Sequence, residues 1–215
     1  MANFSILFFA LVALFVTLAS AQGGVSKTGK KDGEAIYKAT KQPASGNYKI
    51  KAYGTSSYMS FNPSGNIVSP GKSASKWALK HHSGSKFFSL HINKNTLHKC
   101  VSTRWTTHGK GGGYADAAVM WQCEVDGDKY HGKRSEISNS THIEKRYSKI
   151  VTEKQEWAAV PVKGKKNTYM LFSASHLYDM VPRCISHSKI SGGTKLSTCK
   201  VNTRSNSLYW TFQKV

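Results

Sequence analysis

The stretch "QEWAAVPV", Gln155–Val162, sets a tryptophan inside an apolar, strand-like run. Two other stretches repeat it: "SKWALKHH", Ser75–His82, around Trp77, and "LYWTFQKV", Leu208–Val215, around Trp210. What lies before each tryptophan is also alike. "KFFSLHI", Lys86–Ile92, follows Trp77, "NTYMLFS", Asn167–Ser173, follows Trp157, and Tyr48 in "GNYKIKAY" opens the first segment. Three units result, at about 46–83, 84–163 and 164–215. The second and third share one order: aromatic strand, cysteine strand, second cysteine, tryptophan strand. The first keeps the frame without cysteines, carrying "YMSFNPSGNIV", Tyr58–Val68, instead.

The units are built from short alternating runs punctuated by Gly, Pro, Ser and Asn, which is strand-and-turn chemistry. No stretch keeps apolar residues at helical spacing for three turns, so the fold class is all-β. One unit of about four short strands cannot bury its apolar face, whereas three can close on one another and leave no sheet edge open. Trp77, Trp157 and Trp210 then point inward as structural core.

The chain opens "MANFSILFFALVALFVTLASAQ". Its apolar run is too short to span a bilayer comfortably and ends in Ala19-Ser20-Ala21, which reads as a signal peptide over residues 1–21. No later run approaches the ~20 apolar residues of a membrane span. A secreted, extracellular protein with no transmembrane segment is expected. Residues 22–45 are rich in Lys, Gly and Ser and read as a flexible basic arm. The formal net charge of +20 favours anionic partners such as acidic polysaccharide, nucleic acid or lipid headgroups. Four cysteines, Cys100, Cys123, Cys184 and Cys199, suggest disulfides in an exported chain. Three pairings are possible, and spacing favours two local loops, Cys100–Cys123 and Cys184–Cys199. No close cysteine pair and no HExxH spacing among the nine histidines point to a metal, so neither metal nor cofactor is expected.

The pattern over 46–215 resembles the ricin-B type lectins, which are β-trefoils. That family closes each repeat with Gln-x-Trp, which Gln155-Glu156-Trp157 matches in full; the segments around Trp77 and Trp210 keep only the tryptophan. It also joins two strands of a repeat by a disulfide, as Cys100/Cys123 and Cys184/Cys199 would. The resemblance implies a sugar site made of an acidic residue two positions after the first cysteine, an aromatic two before the second, and an Asn beside the Gln. In the second repeat Trp121 holds the aromatic position and Gln155 the Gln position, but Ser102 stands at the acidic position and Lys154 at the Asn position. Asp116, on the same segment, is a candidate replacement for the missing acid. The third repeat has Ser186 and Ser197 at these positions and lacks a site of that type. The implied partner is a glycan or glycoprotein, acidic polysaccharide included, bound by a monomer through a partly degraded site.

About thirty residues, 124–154, separate Cys123 from the Gln-x-Trp, and a loop of that length is usually functional. It holds the sequon Asn139-Ser140-Thr141, a glycosylation site in an exported chain, and the dibasic pairs Lys133-Arg134 and Lys145-Arg146. No GxSxG or Cys–His nucleophile signature appears, so a non-enzymatic protein is expected. Besides a lectin, two classes fit: an effector or protease inhibitor acting through the 124–154 insertion, and a basic polyanion binder.

Overall fold

The computed structural model describes residues 27–62, 67–82, 86–94, 97–103, 117–123, 154–174, 177, 182–190 and 193–215. Among them are twelve strands in three sets of four. The first set is β1 (Gly46–Ala52), β2 (Tyr58–Asn62), β3 (Ile67–Gly71) and β4 (Trp77–His81); the second is β5 (Phe88–Lys94), β6 (Leu97–Thr103), β7 (Ala117–Gln122) and β8 (Trp157–Pro161). The third is β9 (Thr168–Ser173), β10 (Arg183–Ile190), β11 (Gly193–Thr198) and β12 (Tyr209–Lys214).

The first and last strands of each set pair antiparallel: β1 with β4, β5 with β8, β9 with β12. The last strand of each set pairs with the first of the next: β4 with β5, β8 with β9, and β12 back onto β1. Six strands therefore form a closed ring. The middle strands make three hairpins, β2–β3, β6–β7 and β10–β11. These gather over one end of the ring, where β7 pairs with β3 and with β11, and β11 packs on β3. The approach of β11 to β7 requires a glycine: a Cβ on Gly193 would lie 2.4 Å from the Ala118 carbonyl oxygen.

Inside, three fully buried indoles repeat one contact. Trp77 Nε1 donates to the Met59 carbonyl at 3.0 Å, Trp157 Nε1 to Val101 at 3.0 Å, and Trp210 Nε1 to Ile185 at 2.9 Å. Each donor opens or nearly opens its set's last strand, and each acceptor lies on its set's second strand. A buried indole needs such an acceptor, because an unmet N–H in the core costs a lost hydrogen bond. Around the indoles the inward residues of alternating strands (Ile50, Leu79, Leu90, Met120 and Leu171 among them) fill one apolar core.

A second apolar cluster lies on the outer face of β8 and β9, and a helix covers it. Part of the segment whose composition reads as a flexible arm is this helix, α1 (Lys27–Ala39). Ile36 is fully buried against Ala158, Val160, Met170 and Phe172. Tyr37 meets Phe87 edge-on at 5.5 Å, and Asp32 pairs with Lys200 at 3.2 Å. Past the helix, Lys41 N donates to the Ala159 carbonyl at 2.9 Å and Gln42 Nε2 to the Phe87 carbonyl. One large apolar residue and a few tethers dock the helix, too little to raise a helical period in a Lys- and Gly-rich segment. No helix among the described residues is long and apolar enough to cross a membrane.

Candidate functional site

Both disulfides are local: Cys100 joins Cys123, and Cys184 joins Cys199. The first closes the β6–β7 hairpin, which carries Ser102 and Trp121 of the sugar site implied by the resemblance. On β7 Ala118 and Met120 turn into the core, so the strand's alternation turns Trp121 outward. Its side chain is 58 % exposed, and among the described residues no other aromatic ring is so open. Cys100 lies directly across from Trp121 on β6, and Cys123 follows two residues later on the same strand face. The exposed indole thus sits beside the disulfide, on the surface of a hairpin stapled at its own position.

The equivalent positions in the other two sets show what is particular to this one. The indole acceptors Met59, Val101 and Ile185 align Tyr58, Cys100 and Cys184, whose cross-strand partners are Gly71, Trp121 and Ser197. A ring stands there in the second set alone. The residue after each acceptor is serine in all three: Ser60, Ser102 and Ser186. Ser102 is 5 % exposed and its hydroxyl lies within 3.4 Å of the Thr103 carbonyl; Ser186 donates to the Lys195 carbonyl at 2.9 Å. Ser60 donates to the carbonyls of Tyr58 and Ser73. Threefold recurrence with main-chain acceptors makes this serine part of the hairpin's hydrogen bonding. Gln155 is likewise buried, 1 % exposed. Ser102, on the strand paired with that of Trp121, and Gln155, just before β8, are therefore both buried and do not present their polar groups to solvent. Asp116 and Asn139 lie outside the described residues, as do both dibasic pairs and most of the 124–154 insertion.

Sequence reasoning missed a polar chain behind the hairpin. His91 Nδ1 lies 3.3 Å from both Cys100 Sγ and Cys123 Sγ. Its Nε2 is 2.5 Å from Ser89 Oγ, which is 2.9 Å from His82 Nε2. In the third set the residue facing the disulfide strand at this position is Phe172, paired with Cys184 as His91 is with Cys100. An apolar ring suffices to cover a disulfide there, so the histidine is an addition. His91, Cys100 and Cys123 also place three metal-donor atoms within 4.8 Å of one another. Both sulfurs are spent in the disulfide, however, and only a thiolate is a good metal ligand. The remaining distinctive histidine is His187, which donates Nε2–H to the Tyr209 carbonyl at 2.7 Å and meets Trp210 edge-on at 4.7 Å. Burial lowers its pKa below the ordinary histidine value, against a smaller raising effect of that hydrogen bond.

No protein-family model matches the sequence, and no characterised protein matches it by sequence. Solved structures do resemble the fold. A salivary protein from Culex quiquefasciatus of the Cysteine and Tryptophan-Rich family is 12 % identical with a TM-score of 0.50, over 81 % of this chain and 96 % of its own. SeviL, solved with the asialo-GM1 saccharide, is 10 % identical with a TM-score of 0.46, over 80 % of this chain and 98 % of its own. The designed threefold-symmetric protein ThreeFoil is 13 % identical with a TM-score of 0.46, over 79 % of this chain and 99 % of its own. The likeness to the salivary protein is one of fold.

Proposed function

We propose that this chain is a secreted, monomeric β-trefoil that binds a glycan through Trp121 and acts by binding rather than by catalysis. The closed six-strand ring, the three capping hairpins and the three equivalent indole–carbonyl bonds support the trefoil reading. The observation that carries the function is the 58 % exposure of Trp121 on a disulfide-braced hairpin. A flat indole held on a rigid strand is what the apolar face of a sugar ring stacks on, and its preorganisation keeps the entropy cost of binding small. With Ser102 and Gln155 buried, stacking supplies most of the affinity. One monovalent sugar is then held at about millimolar Kd, worth roughly 4 kcal/mol.

Trp121→Ala should abolish binding on a glycan array while leaving the near-ultraviolet circular dichroism and both disulfides intact, because the side chain packs into no core. The array is run at low and high salt. Sugar stacking persists as salt rises, whereas binding driven by the basic surface falls steeply. Unchanged binding by the alanine variant overturns the site.

A further inference from the structure

Beside the C-terminal end of α1, where Ala39 and Lys41 border it, the part of the outer apolar cluster around Val160 and Met170 lines a cleft of about 900 Å³. This is the size of small-molecule sites in general. Its floor is aliphatic: Val160, Val162, Met170 and Val201, closed at one end by Tyr209. Val160, Met170 and Tyr209 are buried, at 3 %, 3 % and 6 % exposure. Four cations stand around it, Lys41, Lys163, Lys165 and Arg204, and none of the described residues lining it is acidic.

The rim is held by structure. Lys163 and Lys165 flank Gly164, whose φ of +76° makes the tight turn between β8 and β9, and Val162 N donates to the Thr168 carbonyl across it. Lys165 Nζ is fixed over the Tyr53 ring at 4.2 Å and donates to the Tyr53 hydroxyl at 2.7 Å. Arg204 follows Thr203, whose hydroxyl accepts from Lys200 N and whose carbonyl accepts from the Tyr209 hydroxyl.

We propose that this cleft binds a small amphipathic anion, an aliphatic body with one carboxylate or phosphate head. An aliphatic floor rewards burial of a hydrocarbon and offers no ring face to a sugar, while four like charges with no counter-ion among the lining residues select a negative head. The site is separate from Trp121, and either stands without the other.

The test uses 8-anilinonaphthalene-1-sulfonate, an apolar body with an anionic head, titrated into the oxidised full chain and followed by fluorescence. Saturable single-site binding is expected. Decanoate and decyl phosphate, below their micelle concentrations, should both displace the probe; displacement by one alone identifies the head. Decanol, inorganic sulfate and dextran sulfate should displace it poorly. Lys163→Glu combined with Arg204→Glu, both at exposed positions, should weaken binding about tenfold. Lys189→Glu, exposed on β10 and away from the cleft, controls for net charge and should leave it unchanged. Should the double variant lack native circular dichroism, Lys163→Ala alone replaces it, with about threefold weakening expected. Absence of saturable binding, displacement by dextran sulfate as effective as by decanoate, or equal weakening in the Lys189 control overturns the proposal. Binding to Trp121→Ala should equal that of the parent chain, so the outcome is independent of the glycan site.

Discussion

Single side chains divide here into those that build the interior and those left outside it. Trp157 and Trp121 lie on neighbouring parts of the same set, and residue type does not separate them. Trp157 donates to Val101 from full burial; Trp121 is open. Trp157→Phe keeps most of the apolar volume and leaves the Val101 carbonyl without its indole partner. Urea denaturation should show a loss of about 1–3 kcal/mol, and Trp77→Phe and Trp210→Phe should fall in the same range, since their bonds are equivalent. His187 carries a pH effect. Its folded pKa is lowered by burial, so the unfolded chain binds the proton more readily. Its contribution is fully present above the unfolded value near 6.5 and is lost as pH falls from there toward the folded pKa, where the penalty levels off. The urea midpoint should therefore drop between pH 7.5 and 5 by more in the parent than in His187→Gln. The imidazole proton resonance should titrate with a midpoint below 6.5.

Among the elements, α1 is the one whose presence composition concealed. It hangs on Ile36, its one fully buried large apolar side chain, which packs on the outer face of β8 and β9, with Tyr37 edge-on against Phe87 beside it. Ile36→Ala should cost about 2–4 kcal/mol if helix and barrel unfold together. The same loss confined to the helix would appear as faster amide exchange over 31–39, with the strands unaffected. Hydrogen-exchange mass spectrometry on the variant distinguishes the two. The strands were more legible than the helix for a physical reason. A tryptophan demands a large buried site with an acceptor, so three in like surroundings announce three like strands. A lysine-rich helix needs only one apolar anchor and leaves little pattern. The inside and outside of β7 could not be read from "AAVMW" either, because alternation is informative only where one face is polar. The serines after Met59, Val101 and Ile185 were equally opaque: a hydroxyl suits a sugar or a backbone carbonyl alike, and only the fold shows which it meets.

For the molecule as a whole, the all-β character and the two local disulfides could be read from spacing and turn residues, because each involves segments close in sequence. The cleft could not. Its lining comes from 39–41, 160–170 and 201–209, brought together only when the ring closes and α1 docks. Of the candidate glycan site, the position of the ring relative to a cysteine could be read from the sequence, whereas the burial of Ser102 and Gln155 could not, because it depends on strands that meet only in the fold.

The ring seam has one more consequence. β12 lies antiparallel beside β1, with Tyr48 opposite Lys214 and Val215 N bonded to the Asn47 carbonyl. The two ends of the barrel segment thus leave from the same edge, and both disulfides lie elsewhere. A pull applied between residue 46 and residue 215 would peel the seam rung by rung like a zip fastener, instead of loading all its rungs in shear, and the barrel would yield to weak tension.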